Sequence, residues 1–298
     1  MAITFHREME FRYGEVDRMS PLVRRVIAEN PSAFTFHGTG TYIVGDPQGK
    51  MAVIDPGPEL PAHLDALLAA TAEGKVSHIL ITHTHADHSP LAVELSARTG
   101  APIYGFGPHP TPPRGAKSEE DGDMVFRPDV RIGDGGMIRG EGWTMQAIHT
   151  PGHISNHLCF ALQEENVLFP GDHVMGWSTS IVSPPDGNMA DYFASLRKLL
   201  PRGEEIYYPT HGPAIPNPQE HVQAFIAHRE AREAQILACV GDGLHTIPEM
   251  VARMYKDVPS YLHPAAARSV LAHLIHMTGD GRLAADPEPG EAARYTLP

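Results

Sequence analysis

The 298 residues carry 36 Asp and Glu against 23 Lys and Arg, a formal charge of −13 at pH 7, which argues against a broadly basic surface that would grip DNA or an anionic membrane. Hydrophobic residues make up 42% and charged residues 20%, a globular mix sufficient for one large domain, or for a large domain plus a small one. There is no run of 18 apolar residues and no secretory leader in MAITFHREMEFRYGEVDRMS, so a cytoplasmic protein without a membrane partner is expected.

The chain-order reading starts with a hairpin from Thr39 to Gly57, where TYIVGD and MAVIDPG flank the turn formers Pro47 and Gly49. Leu64, Leu67 and Leu68 then give helical spacing over Pro61–Thr71, and VSHILIT (Val76–Thr82) reads as a buried strand. A helix over Leu91–Thr99 and a strand at Pro102–Tyr104 precede a Gly-, Pro- and charge-rich loop, Gly105–Gly122, placed as a lip over a site. Strands follow at Thr144–His149, Leu158–Leu162 and Val167–Phe169, then a helix near Tyr192–Leu200 and a strand at Glu205–Tyr208. Strands interleaved with single helices point to an α/β sandwich.

The proline-rich YYPTHGPAIPNPQE marks a boundary, dividing residues 1–217 from 218–298. Beyond it, Val222, Phe225, Ile226, Ile236, Leu237 and Val240 share one face of a long helix. Helices over Ile247–Tyr255 and Pro264–Met277 and two short strands around a Pro/Gly turn complete the outline of a winged-helix module. On the third of these helices Ala267, Val270, Leu271 and Leu274 form the inward face. Arg268, Ser269, Ala272, His273 and His276 are expected outside, with the two histidines as surface residues lacking a nearby carboxylate. Cys159 and Cys239 fit no disulfide or zinc-ribbon spacing and read as small buried hydrophobes.

Nineteen histidines, several in tight groups, carry the chemistry. In THTHADHS (Thr82–Ser89) His83 and His85 are two apart, so both rings project to one side of an extended segment, and Asp87 and His88 follow as the chain turns. His153 follows a strand and a Pro-Gly turn in HTPGHISNH, Asp172 does the same in LFPGDHV, and His211 follows a strand in YYPTHGP. Each candidate ligand thus sits at a strand end, where loops converge on one mouth of a fold. Imidazole and carboxylate donors suit Zn²⁺ and are accepted by Fe²⁺ and Mn²⁺.

The ordered set THTHADH, TPGH, GD and HG resembles the metallo-β-lactamase superfamily. GDHVMGWSTSIV, DYFASLRKLL, YYPTHGP and the C-terminal AHREAREAQIL and AAARSVLAHLIHMTGDGRL are similar to its lactamase-β-like protein 2 group. The resemblance implies an αββα sandwich followed by a small winged-helix-like domain. It implies a first metal on His83, His85 and His153, a second on Asp87, His88 and His211, and Asp172 bridging both. The chain departs from the group at Pro90 and Leu91, where two glycines are common.

Two such metals, most simply zinc, would generate a hydroxide at neutral pH, oriented by Asp87 and Asp172 for attack on a substrate carbonyl or phosphoryl centre. A small ester or thioester is the leading substrate, with single-stranded RNA the alternative. β-Lactam hydrolysis and a non-enzymatic, metal-binding regulatory role rank lower. Residues 221–298 hold seven Lys/Arg and nine Asp/Glu, and the outward face of the third helix is a poor set for reading bases, so DNA is not an expected partner. His157 and Trp177 are candidates for contacting the ligands or the substrate, followed by His149, His173 and Tyr192. Arg114 and Lys117 are candidates for receiving an anionic group.

Overall fold

Alternation of apolar side chains builds two sheets that share one core. The computed structural model describes residues 3–111 and 121–298. The first sheet runs in chain order through β1 (Val16–Arg18), β2 (Val23–Ile27), β3 (Gly40–Val44), β4 (Lys50–Ile54), β5 (Lys75–Leu80), β6 (Ile103–Gly105) and β7 (Val130–Arg131). Strands β1 to β4 pair antiparallel, and β4 to β7 pair parallel. The parallel crossovers are α1 (Pro61–Ala70) and α2 (Leu91–Thr99).

The second sheet contains β8 (Met137–Arg139), β9 (Thr144–His149), β10 (Leu158–Leu162), β11 (Val167–Phe169), β12 (Ile206–Tyr207) and β13 (Ile215–Pro216), in reverse order across the sheet. Helix α3 (Met189–Leu199) links β11 to its parallel neighbour β12.

Period-two alternation decides which residue enters which layer. On β3, Tyr42 and Val44 meet Ala147, Phe160 and Phe169 between the sheets, while Ile43 turns outward to Leu67 and Leu95 under α1 and α2. On β10, Leu158 and Phe160 point inward, and Cys159 and Ala161 pack outward with Tyr192, Phe193 and Leu196 of α3. The layers are therefore helix, sheet, sheet, helix, as the sequence reading expects.

Helix α4 (Pro218–Gly241) serves two cores. Val222, Phe225 and Ile226 complete the layer under α3, whereas Ile236, Cys239 and Val240 pack with α5 (Ile247–Met254) and α6 (His263–Gly279). The hairpin of β14 (Ala284–Asp286) and β15 (Arg294–Thr296) closes this second core through Tyr295. Both cysteines are free and buried, as expected.

The expectation for the outer face of α6 is corrected. Ala272 and His273 are 2% and 1% exposed, because that face lies against α4 and α3 rather than water. A carboxylate stands beside the histidines: Glu233 of α4 accepts from Nδ1 of His273 at 3.2 Å and of His276 at 2.8 Å, and its second oxygen accepts from Arg282 at 2.6 Å. Strands β1 and β2, before Thr39, and β7 and β8 are additional to the elements read from the sequence. No helix among the described residues is long and apolar enough to cross a membrane.

Candidate metal centre

The strand ends bring seven donor side chains together. THTHADH begins where β5 leaves its ladder: the amide of Ile81 pairs with the Tyr104 carbonyl, and that of Thr82 turns to the Asp55 carboxylate. Two Pro-Gly turns deliver the next ligand candidates. Gly152 (φ 139°) and Gly171 (φ 53°) both have positive φ, and a Cβ at Gly171 would lie 2.6 Å from Nε2 of His157, so glycine is required there. These turns set His153 and Asp172 beyond β9 and β11, and His211 follows β12.

Two clusters result. His83 Nε2 and His153 Nε2 approach His85 Nδ1 at 2.9 Å and 3.0 Å, three ring nitrogens aimed at one point. In the second cluster Asp87 Oδ2 lies 3.1 Å from His211 Nε2 and 3.4 Å from His88 Nε2. Asp172 Oδ2 stands between them, 3.4 Å from His211, 3.5 Å from His88 and 4.0 Å from His153 Nε2. All are buried except Asp87, whose side chain is 23% exposed and marks the open side of the centre.

The far sides of the His83, His88, His153 and His211 rings are anchored. His83 Nδ1 faces the Thr82 hydroxyl at 3.0 Å, His88 Nδ1 faces Asp55 at 3.0 Å, His153 Nδ1 donates to the Ile181 carbonyl at 2.7 Å, and His211 Nδ1 donates to the Gly38 carbonyl at 3.2 Å. Such contacts fix the tautomer that turns a lone pair inward. Burial pushes His83 and His85 well below the usual imidazole range, so both are neutral donors. Burial alone would lower His211 too, but the Asp172 and Asp87 carboxylates outweigh it and raise the ring to about 10. Burial would likewise raise Asp172, yet His211 and His88 hold it well below the carboxylate range.

A divalent ion fits this arrangement. His88 Nε2 and Asp172 Oδ1 are buried without a hydrogen-bond partner, a costly state that coordination would relieve. Five imidazoles and two carboxylates within coordinating reach are a zinc-type donor set, and Fe²⁺ or Mn²⁺ would accept it as well.

The other candidates fall in different places. His157 is fully buried with its ring centroid 5.1 Å from that of His83; its Nδ1 donates to Thr150 and its Nε2 accepts from the Asp172 amide at 3.2 Å. Trp177 is partly exposed, stacks on Phe36 at 4.8 Å and presses on Gly212, the residue after His211. Tyr192 forms no substrate wall: it is fully buried in the core under α3, and its hydroxyl donates to the His173 carbonyl. His173 is buried beside it, and His149 stacks on Phe106 at 4.1 Å. Arg114 and Lys117 lie outside the described residues. The near end of their loop reaches the site, since Asp123 N bonds the Thr84 carbonyl and Gly122 bridges to His85.

Asp55 went unread in the sequence. It is 1% exposed, takes the amide and hydroxyl of Thr82, and orients His88. Its signal was present: an Asp followed by Pro-Gly at a buried strand end, close to the Pro-Gly-Asp arrangement of Asp172. Pro90, where the sequence departs from the resembled group, caps α2, and the Leu91 amide pairs with the Gly57 carbonyl.

The profile described as the metallo-beta-lactamase superfamily matches residues 35–211, and that of the beta-lactamase associated winged helix domain matches 246–290. The chain is 32% identical to the atrochrysone carboxyl ACP thioesterase of Aspergillus chevalieri, covering 93% of this chain and 87% of the relative. It is also 32% identical to an atrochrysone carboxyl ACP thioesterase from a Cryptosporiopsis species, over 82% and 74% of the two chains. A solved beta-lactamase domain protein from Burkholderia ambifaria superposes with TM-score 0.79 at 19% identity, over 98% and 96% of the chains, and so shares the fold. The chain is a hydrolase that belongs to the metallo-β-lactamase superfamily.

Proposed function

We propose that the chain hydrolyses acyl thioesters, and that His83, His85 and His153 on one side, Asp87, His88 and His211 on the other, and Asp172 between them would hold two divalent ions, most simply zinc. The observation that carries this reading is the position of Asp172 Oδ2 within 3.5 Å of His88 and His211 and 4.0 Å of His153. Bound there, the ions would supply Lewis acidity and a nucleophilic water at neutral pH. Asp87, the partly exposed carboxylate of the set, would orient a water at the open side of the centre. The water oxygen adds to the acyl carbon, the C–S bond breaks, and the products are a carboxylic acid and a thiol.

Two observations favour sulfur as the leaving atom. The second nitrogens of His83, His88, His153 and His211 are already directed to Thr82, Asp55, Ile181 and Gly38, so none of these four offers a proton to a departing group. A thiol with pKa of about 8.5 departs as thiolate without an acid, whereas an alkoxide needs one. The relatives named as thioesterases, at 32% identity, support the same class. The acyl group would then arrive on a small thiol or on a carrier protein.

The test is a matched panel given to zinc-loaded protein: an acyl N-acetylcysteamine thioester, the same acyl group on an acyl carrier protein, the corresponding oxygen ester, single-stranded RNA and a β-lactam. Thioester kcat/KM at least about 100-fold above the ester is expected. Thioester turnover at background beside RNA or lactam cleavage would overturn the reading.

A further inference from the structure

The segment between Asp172 and α3 carries the carbonyl that orients His153, yet residues 177–188 belong to no helix or strand. Contacts from neighbouring elements hold them, among them the Ser155 amide on Asp186, the Gly152 carbonyl on the Asn188 amide, and two arginines of the C-terminal helices. Arg229 of α4 is 4% exposed; its guanidinium lies 5.3 Å from the centre of the Tyr192 ring and donates to the Ser180 carbonyl. The next carbonyl in the chain, that of Ile181, accepts the 2.7 Å bond from His153 Nδ1. The Ser180 hydroxyl is tied to the His173 carbonyl at 2.9 Å, so the peptide between the two acceptors is held at both ends. Arg268 of α6 grips the same segment further on, at the Ser183 hydroxyl (2.8 Å) and the Pro184 carbonyl (2.6 Å).

We infer that Arg229 is a positioning residue for His153, and that through it the C-terminal helices set the affinity of the His83–His85–His153 position for metal. The inference rests on the metal-centre reading above. A ligand histidine binds well when its outer hydrogen bond holds the ring in register, and loss of such a partner costs about 10- to 100-fold in affinity. Arg229 acts one step further out, through a single peptide, so the lower end of that range applies. Among the described residues, the outer contacts of Asp87, His88 and His211 are Thr39, Asp55 and the Gly38 carbonyl, none of which lies in residues 177–188.

The experiment is stepwise Zn²⁺ titration of the full-length apoprotein against a chromophoric chelator. Wild type is compared with Arg229→Met, Arg229→Lys, Arg268→Met and Glu233→Gln. Arg229→Met preserves the packing over Tyr192, and Glu233→Gln loosens α4 from α6 without touching the segment. Two binding steps in wild type, with one weakened about tenfold in Arg229→Met, the other within twofold, and partial recovery in Arg229→Lys, would support the inference. Both steps unchanged in Arg229→Met, or both weakened alike in it and in Glu233→Gln, would overturn it. Should Arg229→Met fail to fold, Arg268→Met decides: selective weakening of the same step supports the inference, and unchanged steps overturn it. A wild type that binds no zinc would instead refute the metal-centre reading itself.

Discussion

Asp172 concentrates the electrostatics of the centre. It is buried, its Oδ1 has no hydrogen-bond partner, and its Oδ2 touches both histidine clusters. Asp172→Ala is therefore expected to weaken zinc binding at both positions by more than about 100-fold, read by the same chelator titration. Asp87→Ala should abolish thioester hydrolysis while far-ultraviolet circular dichroism stays that of wild type; turnover by that variant at the wild-type rate would refute the role given to Asp87. Asp55→Ala should weaken the His88 position by about 10- to 100-fold, because it removes the oxygen that orients that ring, and the His83 position less, because Asp55 reaches His83 only through the Thr82 hydroxyl. The seven donors were legible because HTHADH packs four of them into six residues, and the two Pro-Gly turns flag two more. Asp55 was passed over because its role depends on a contact 33 residues away, and its Asp-Pro-Gly signal taken alone reads as a turn.

Among the elements, β9, β10, β11 and α2 were read with their observed bounds, β11 ending at the Pro170-Gly171 turn and α2 lying between Pro90 and Gly100. Strand β2 was hidden: in VRRVI the buried residues flank two arginines, and Arg25 is itself buried against Asp17. Helix α3 starts at Met189, three residues before the expected Tyr192, because the Asn188 side chain caps it by accepting the Asp191 amide. The outer face of α6 was misread because helical periodicity does not show that two further helices cover it. Its contact with Glu233 gives an acid-labile element. Burial lowers His273 to about 4, and Glu233 is held low because its bonds from His273, His276 and Arg282 outweigh its burial. Both groups bind protons more readily when unfolded, so their stabilising contribution is present at neutral pH. It is lost for His273 as pH falls from about 6.5 towards 4, and for Glu233 further below. The denaturation midpoint should fall across that window, and Glu233→Ala should cost roughly 3 kcal/mol at pH 7 in a urea melt. A midpoint flat from pH 7 to 4 would show that this cluster does not control stability.

At the scale of the whole molecule, α4 joins the two cores, with Phe225 in the sandwich layer and Ile236 in the winged-helix core, and Arg229 between them contacts the segment that orients His153. The net charge of −13 keeps the molecular field unfavourable to polyanions, in line with a thioester rather than a nucleic-acid substrate. The most direct test of a two-metal thioesterase is thiol release from an acyl thioester as Zn²⁺ is added stepwise to metal-free protein. The account requires no turnover without metal, a rise to a plateau at two equivalents, and no rise at any loading in Asp87→Ala. Thioester turnover by the metal-free protein at the plateau rate, or none at two bound equivalents, would contradict it.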